Sequence, residues 1–169
     1  EMFMGPFDQT APWSMESIRG VNKFLDRVWK LQDLLNDEQG FSAKHESMMH
    51  KAIKKVTFDI EDMKFNTSVS AMMEFINEFP GGKMPRKAYE VLIQLLNPFA
   101  PHLTEEMWEK LGHKDMLVFE PWPTFDASKL VDNEMTIVVS VNGKRANDFV
   151  VPVDISEAGL IETAKQNAT

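Results

Sequence analysis

The sequence predicts a mainly α-helical protein, a five-helix bundle followed by a small, incomplete α/β appendage made of a β-hairpin and one helix. Apolar residues recur every three or four positions in five successive stretches up to about residue 111, and short breaks rich in Gly and Pro separate several of them. Beyond residue 134 the pattern becomes a β-branched run, a turn and a second run. The chain has 169 residues, 43% of them hydrophobic and 26% charged, which is typical of globular domains.

The first helix follows a turn-rich segment, 1–13, in which Gly5-Pro6 and Pro12 prevent a long helix. Ser14 is the expected N-cap, and the helix should extend to about Asn36. Its apolar face is centred on Val21, Val28 and Leu35, with Phe24 and Leu31 on the flank.

Four further helices complete the predicted bundle. Ser42 should cap the second, at about 43–63, and Asn66 or Thr67 the third, at about 67–78. The fourth begins near Pro85 and is interrupted at Pro98 and Pro101, because proline breaks a helix interior. The fifth covers about 102–111 and stops at Gly112. We therefore assign 14–122 to the bundle and 123–134 to a linker.

The appendage, 135–169, begins with the β-branched run Met135–Val141. Asn142-Gly143 follows, and this pair favours a type I′ turn because both positions need positive φ. The hairpin should cover 135–151 and a last helix 157–167, with Ser156 as its cap. A hairpin with one helix is marginally stable alone, so we expect it to pack on the bundle or on another copy.

Charge and composition exclude several classes of protein. The net charge of −8 argues against a uniformly basic nucleic-acid-binding protein, although one basic face remains compatible with it. The absence of cysteine excludes disulfides and cysteine-based zinc sites. No apolar run is long enough to span a membrane and no signal peptide is evident, so we expect a cytoplasmic protein.

Candidate catalytic residues are few. His45 and His50 stand five positions apart, so they point about 140° apart on a helix and cannot share a metal; we predict two solvent-facing histidines. Glu105, Glu106 and Glu109 are expected to form a solvated acidic face, with His102 bonded to Glu105 or Glu106. We predict no catalytic residue and no metal site.

One set of charges points to a ligand. Within the first helix, four cations fall in an arc of roughly 80° at 100° per residue, about opposite the apolar face: Arg19, Lys23, Arg27 and Lys30. Such a row is compatible either with a solvated surface or with contacts to nucleic-acid phosphates, which Arg and Lys neutralise. Lys144 and Arg145, just past the hairpin turn, form a second candidate pair.

Several segments resemble the C-terminal part of bacterial-type leucyl-tRNA synthetases, in the right order and over nearly the whole chain. They are Glu1–Pro6 with Pro12–Ser14, Phe24–Trp29, Phe65–Thr67, Asn97–His102 with Glu105–Trp108, Pro121–Pro123 and Val141–Lys144. Two of these segments are shared more widely among class I synthetases, namely Asn97–His102 with Glu105–Trp108, and Pro121–Pro123. Alone they would leave the isoleucyl, valyl and methionyl relatives open, whereas the first and last segments favour leucyl.

This resemblance implies an anticodon-binding-type bundle and the start of a truncated C-terminal tRNA-binding domain. It implies a connector at 1–13 from a catalytic domain outside this chain, with ATP and Mg²⁺ belonging to that domain and no cofactor in this fragment. The fragment alone should be inactive. The implied function is tRNA docking for a ligase that attaches leucine to its tRNA in protein synthesis, with leucine tRNA and the catalytic domain as partners. The alternative is a bundle that only braces the catalytic domain. The oligomeric state stays open.

Overall fold

The structure, a computed structural model, describes residues 2–6, 8–10, 12–36, 42–79, 81, 83–130, 134–141, 144–152 and 155–167. The chain divides into two compact units, Glu1–Leu130 and Val131–Thr169. The first unit is helical and the second combines a hairpin with a helix, so the predicted fold class is confirmed.

The described residues of the first unit form five α-helices, in the predicted order. They are α1 (Met15–Leu31), α2 (Ala43–Glu61), α3 (Phe65–Asn77), α4 (Arg86–Leu96) and α5 (Pro101–Lys110). Helix α4 is the most buried of them, with seven core residues: Ala88, Tyr89, Val91, Leu92, Ile93, Leu95 and Leu96. It therefore lies at the centre of the core, where it packs against α2, α3 and α5.

Within the bundle, the predicted caps hold at two helices and fail at one. Ser14 Oγ accepts the Ser17 amide of α1 and Ser42 Oγ the His45 amide of α2, both at 3.2 Å. Helix α3 begins at Phe65, ahead of the predicted Asn66 or Thr67 cap, and no side chain caps it. The Thr67 hydroxyl instead donates to Asp59 at 2.7 Å, because that buried carboxylate needs hydrogen-bond donors.

The end of α1 also differs from the prediction. The α-helix stops at Leu31 and a 3₁₀ turn, Gln32–Leu34, follows, so Leu35 is extended rather than helical. Residues 37–41 after this turn lie outside the described residues, as do residues 80 and 82 after α3. Gly112 follows the last turn of α5 with φ +92°, a conformation that favours glycine, so that predicted stop is confirmed.

The segment 121–130, which includes the beginning of the predicted linker, lies along α2. Trp122 Nε1 donates to Thr57 Oγ1 at 2.8 Å, and the Asp126 amide donates to His50 Nδ1 at 3.1 Å. Lys129 forms an ion pair with Glu46. This segment therefore belongs to the first compact unit.

The second unit contains β1 (Glu134–Val141), β2 (Lys144–Pro152) and α6 (Glu157–Asn167). The strands pair antiparallel, from Glu134 opposite Pro152 to Val141 opposite Lys144, with a register shift between Val139 and Ser140. The turn Asn142-Gly143 lies outside the described residues. Ser156 Oγ accepts the Gly159 amide at 3.3 Å, as expected of a helix cap.

Candidate nucleic-acid interface

All four predicted cations of α1 lie at the surface. Arg19, Lys23, Arg27 and Lys30 are exposed, whereas the helix buries Phe24, Val28 and Leu31. The buried face is therefore centred nearer to Phe24 and Leu31 than predicted, and Val21 and Leu35 are only half-buried. At 100° per residue this rotates the buried face by about 30° toward the cations.

Arg27 is consequently not a free cation. It stands about 40° from Leu31 on the helical projection, at the edge of the buried face. Its guanidinium donates to Asn77 Oδ1 at 2.5 Å and to the Ile76 carbonyl at 3.0 Å. Both acceptors belong to the C-terminal turn of α3, where the helix dipole favours a cation. Arg27 therefore joins α1 to α3.

The remaining three cations, Arg19, Lys23 and Lys30, form what we call the α1 basic row. Among the residues that the structure describes, no carboxylate lies within 4.0 Å of any of them. Their own helix also places Glu16 and Asp26 three or four positions from members of the row. The row is thus a set of cations without ion pairs on a face that also carries acids. Its positive electrostatic potential is therefore confined to the immediate surroundings of the row.

Three contacts hold α1 in one orientation. Besides the Arg27 bonds, the buried Tyr89 hydroxyl of α4 donates to the Val28 carbonyl at 3.0 Å. Burial raises the pKa of Tyr89, so this hydroxyl stays protonated. On the other flank, the Lys110 ammonium of α5 lies 3.8 Å from the centre of the Trp29 ring. The α1 basic row therefore projects from a helix fixed on three sides.

The second predicted pair of cations belongs to the other compact unit. Lys144 and Arg145 open β2, opposite Val141 and Ser140 in the register. Their side chains lie outside the described part of the structure. They stay a prediction.

The two histidines of α2 are not solvent-facing, and that prediction is wrong. Both are half-buried. His45 stacks on Phe79 with ring centroids 4.6 Å apart, and His50 accepts the Asp126 amide. Both rings are used in packing because the loops after α3 and α5 fold back onto α2. Within the described ranges, no three His, Cys, Asp or Glu side chains are placed to hold a metal ion.

The acidic residues of α5 also differ from expectation. Glu105 is not simply solvated, because its two carboxylate oxygens accept the amides of Leu117 and Val118 at 2.8 and 2.9 Å. Glu106 pairs with Lys110 at 3.4 Å. The predicted bond from His102 to either glutamate is not among the hydrogen bonds of the described residues. Glu105 faces the turn that follows α5, which sequence spacing does not reveal.

Evidence for the bracing alternative is divided. Phe3 packs against the core, Phe7 lies outside the described residues, and the Trp13 side chain is 66% exposed. Glu16 and Asp26, the acids that would neutralise the α1 basic row, form no ion pair with it among the described residues. Crossing a membrane is a separate question from bracing. None of the helices in the described ranges has the length and apolarity that it requires.

Comparisons with known proteins give one consistent result. Residues 44–160 match the anticodon-binding domain of tRNA ligase. The chain is 44% identical to a leucine–tRNA ligase of Leptospira biflexa, covering 98% of this chain and 20% of that protein. It is 43% identical to that of Chlorobaculum tepidum, covering 98% of this chain and 21% of that protein. The chain thus spans about a fifth of the length of these relatives.

A solved structure agrees with these relatives. It is the ternary complex of a LeuRS from Agrobacterium radiobacter K84 with tRNA and LeuAMS. The match has a TM-score of 0.69 and 25% sequence identity, and it covers 96% of this chain and 23% of the other. The likeness therefore extends over both compact units of the present chain.

Proposed function

The chain belongs to the anticodon-binding domain family of tRNA ligases, and from this premise we propose that it is the tRNA-docking part of a leucine–tRNA ligase. The relatives described above favour the leucine enzyme over the isoleucyl, valyl and methionyl enzymes. The ligase would attach leucine to its tRNA with ATP. Its catalytic centre, ATP and Mg²⁺ belong to polypeptide outside these residues, and the fragment alone is predicted to be inactive.

The observation that carries the proposal is the α1 basic row. Arg19, Lys23 and Lys30 are exposed on the side of α1 away from the core, with no carboxylate partner among the described residues. Lysine and arginine at such positions neutralise phosphates and release counterions, which gives affinity without reading sequence. The row therefore suits a docking role better than recognition of an anticodon.

The rigidity of α1 strengthens this interpretation. The helix is tied to α3 by Arg27, to α4 by Tyr89 and to α5 by Lys110. Because its direction is fixed before RNA arrives, binding does not have to order the helix itself, and less conformational entropy is lost. Lys144 and Arg145 are proposed as a second contact with the same tRNA. We also propose that the ligase is cytoplasmic.

The test uses the full-length ligase with two matched double variants. Lys23→Glu with Lys30→Glu reverses two members of the α1 basic row. Lys83→Glu with Lys87→Glu makes the same charge change at two other exposed lysines of the bundle. The dissociation constant for leucine tRNA is measured for each variant at several salt concentrations.

We expect the first variant to weaken binding by about tenfold or more and to reduce the salt slope by about 1 for each lost phosphate contact. The control should keep most of the affinity and the slope. Equal losses of tRNA affinity in the two variants would mean that the α1 basic row contributes only through the overall charge of the bundle. An unchanged affinity in the first variant would remove it from tRNA docking.

The bracing function is favoured by one observation, the 66% exposure of Trp13 and the 61% exposure of Met15 at the start of α1. If these residues only brace the catalytic domain, Trp13→Ser should lower the thermal stability of the full-length ligase. The row variants would then leave tRNA affinity unchanged. tRNA docking therefore predicts that the row variants lower tRNA affinity, whereas bracing predicts that Trp13→Ser lowers thermal stability.

A further inference from the structure

A second surface of the bundle, around α5 and the turn after it, has chemistry opposite to that of α1. The surface is a depression of about 780 Å³. Its lining includes Glu105, Glu106, Glu109, Lys114 and Asp115. Four of these side chains are carboxylates and one is a lysine, so the depression is acidic. Phosphates are repelled from such a surface, which therefore does not suit RNA.

An apolar tip stands at one edge of this depression. Met116 is 55% exposed, Val118 57% and Phe119 79%, while Leu117 between them is buried at 4% exposure. Leu117–Phe119 forms a 3₁₀ turn. The buried leucine anchors the turn, and its neighbours consequently project into solvent. Met and aromatic residues are enriched at the centres of protein interfaces.

Glu105 holds the apolar tip in one conformation. Its two oxygens accept the amides of Leu117 and Val118 at 2.8 and 2.9 Å. Bonds between amides and a charged carboxylate are stronger than neutral ones, so the backbone of the turn is held to α5. A tip held in one conformation loses little entropy when a partner covers it.

The charges beside the tip indicate what kind of partner fits. Glu109 and Asp115 are exposed, and Glu106 is shared with Lys110 at 3.4 Å. Complementary charge steers a partner and selects its orientation. A surface that carries lysine or arginine around an apolar pocket matches both the acids and the tip.

We propose that this α5 surface docks a basic, apolar-centred surface of the same ligase polypeptide, from the part that lies outside these residues. The inference rests on the proposed function, since relatives of this chain are about five times its length. Phe119 would fill the partner's apolar pocket, with cations of the partner facing Glu109 and Asp115. The bundle would thus use α1 for RNA and α5 for its own ligase.

The test measures the oxidation of methionine by dilute hydrogen peroxide in the full-length ligase without tRNA. Met116 and Met63 are 55% and 56% exposed in the described structure, so Met63 is a matched internal control. Each rate is divided by the rate in the denatured ligase, read by mass spectrometry. Because sulfoxide formation follows exposure, we expect Met116 to react about tenfold more slowly than Met63. Equal normalised rates would show that nothing covers the tip and would overturn the proposal.

A charge variant tests the chemistry of the partner. Glu109→Lys with Asp115→Lys should raise the oxidation rate of Met116 several-fold while leaving Met63 unchanged, because repulsion would weaken a basic partner. No change at Met116 would contradict a basic partner, and protection that rises with ligase concentration would indicate a second copy instead. Since no tRNA is present, failure here is distinguishable from failure of the proposed function, which the tRNA affinities report.

Discussion

Helices α1 and α5 belong to one bundle but present opposite surfaces. The α1 face carries Arg19, Lys23 and Lys30, whereas the α5 surface combines carboxylates with the exposed tip at Phe119. The first surface is encoded by local spacing along one helix. The second depends on two hydrogen bonds that Glu105 accepts from backbone amides of a turn, twelve and thirteen residues away. One core can therefore support two surfaces of opposite chemistry when each surface has its own anchor.

The largest expected effect comes from breaking the core that holds both surfaces. Tyr89→Ala removes a fully buried ring, and such cavities cost about 3–5 kcal/mol in the free energy of unfolding. The loss should disturb α1 and α5 together, so both tRNA affinity and Met116 protection should fall. Urea unfolding of the full-length ligase measures the stability.

Tyr89→Phe is the matched control, since it keeps the ring and removes only the hydroxyl that donates to Val28. It should cost about 0.5–1.5 kcal/mol, the usual net value of one hydrogen bond. If both variants were equally destabilised, the hydroxyl rather than the ring would dominate at this position. That result would contradict the assignment of Tyr89 as mainly a packing residue.

A second prediction separates the two surfaces by removing the anchor of the tip. Glu105→Ala leaves the Leu117 and Val118 amides without their acceptor, which should cost about 1–3 kcal/mol where the amides become buried and unpaired. We expect faster amide hydrogen exchange at both positions and unchanged tRNA affinity. Glu109→Ala, at an exposed carboxylate of the same helix, should leave the exchange unchanged. Slow exchange in Glu105→Ala would show that Leu117 burial alone holds the turn.

A third prediction distinguishes the role of Arg27 from that of Lys23, both on the exposed face of α1. Arg27→Ala loses the bonds to Ile76 and Asn77 and should destabilise the fold by about 1 kcal/mol, while reducing the salt slope of tRNA binding little. Lys23→Ala should do the reverse, with nearly unchanged stability and a salt slope lower by about 1. Denaturant unfolding and salt-dependent tRNA binding measure the two properties. A large slope change in Arg27→Ala would return Arg27 to the phosphate contacts.

The same division shows what sequence reasoning can reach. Apolar periodicity, Ser14 and Ser42 as caps and Gly112 as a stop predict the bundle, because these signals act within a few residues. The partners of Arg27, His50 and Glu105 are 49, 76 and 12 residues away in the chain, so local patterns cannot identify them. The rotation of the buried face of α1 has the same origin, since it depends on where α3 and α4 pack. Exposure of the cations was therefore predictable, whereas the bonding of Arg27 was not.

The smallest expected effect concerns Glu46, which belongs to neither surface and anchors segment 121–130 through Lys129. The hydrogen bond from Lys129 lowers the pKa of Glu46, and the same bond raises the pKa of Lys129. A carboxyl group with a lowered pKa stabilises the fold above its unfolded pKa, and this contribution is lost as the pH falls through the folded pKa. The lysine contribution is lost only as the pH rises through its raised pKa.

Glu46→Gln should therefore flatten the acid side of the stability curve slightly, as measured by urea unfolding from neutral to acidic pH. Because Asp126 also has a lowered pKa, caused by its bonds to Ser128, part of the acid dependence should remain. An unaltered curve would mean that the ion pair contributes nothing, and any change in tRNA affinity or Met116 protection would mean that segment 121–130 supports one of the two surfaces.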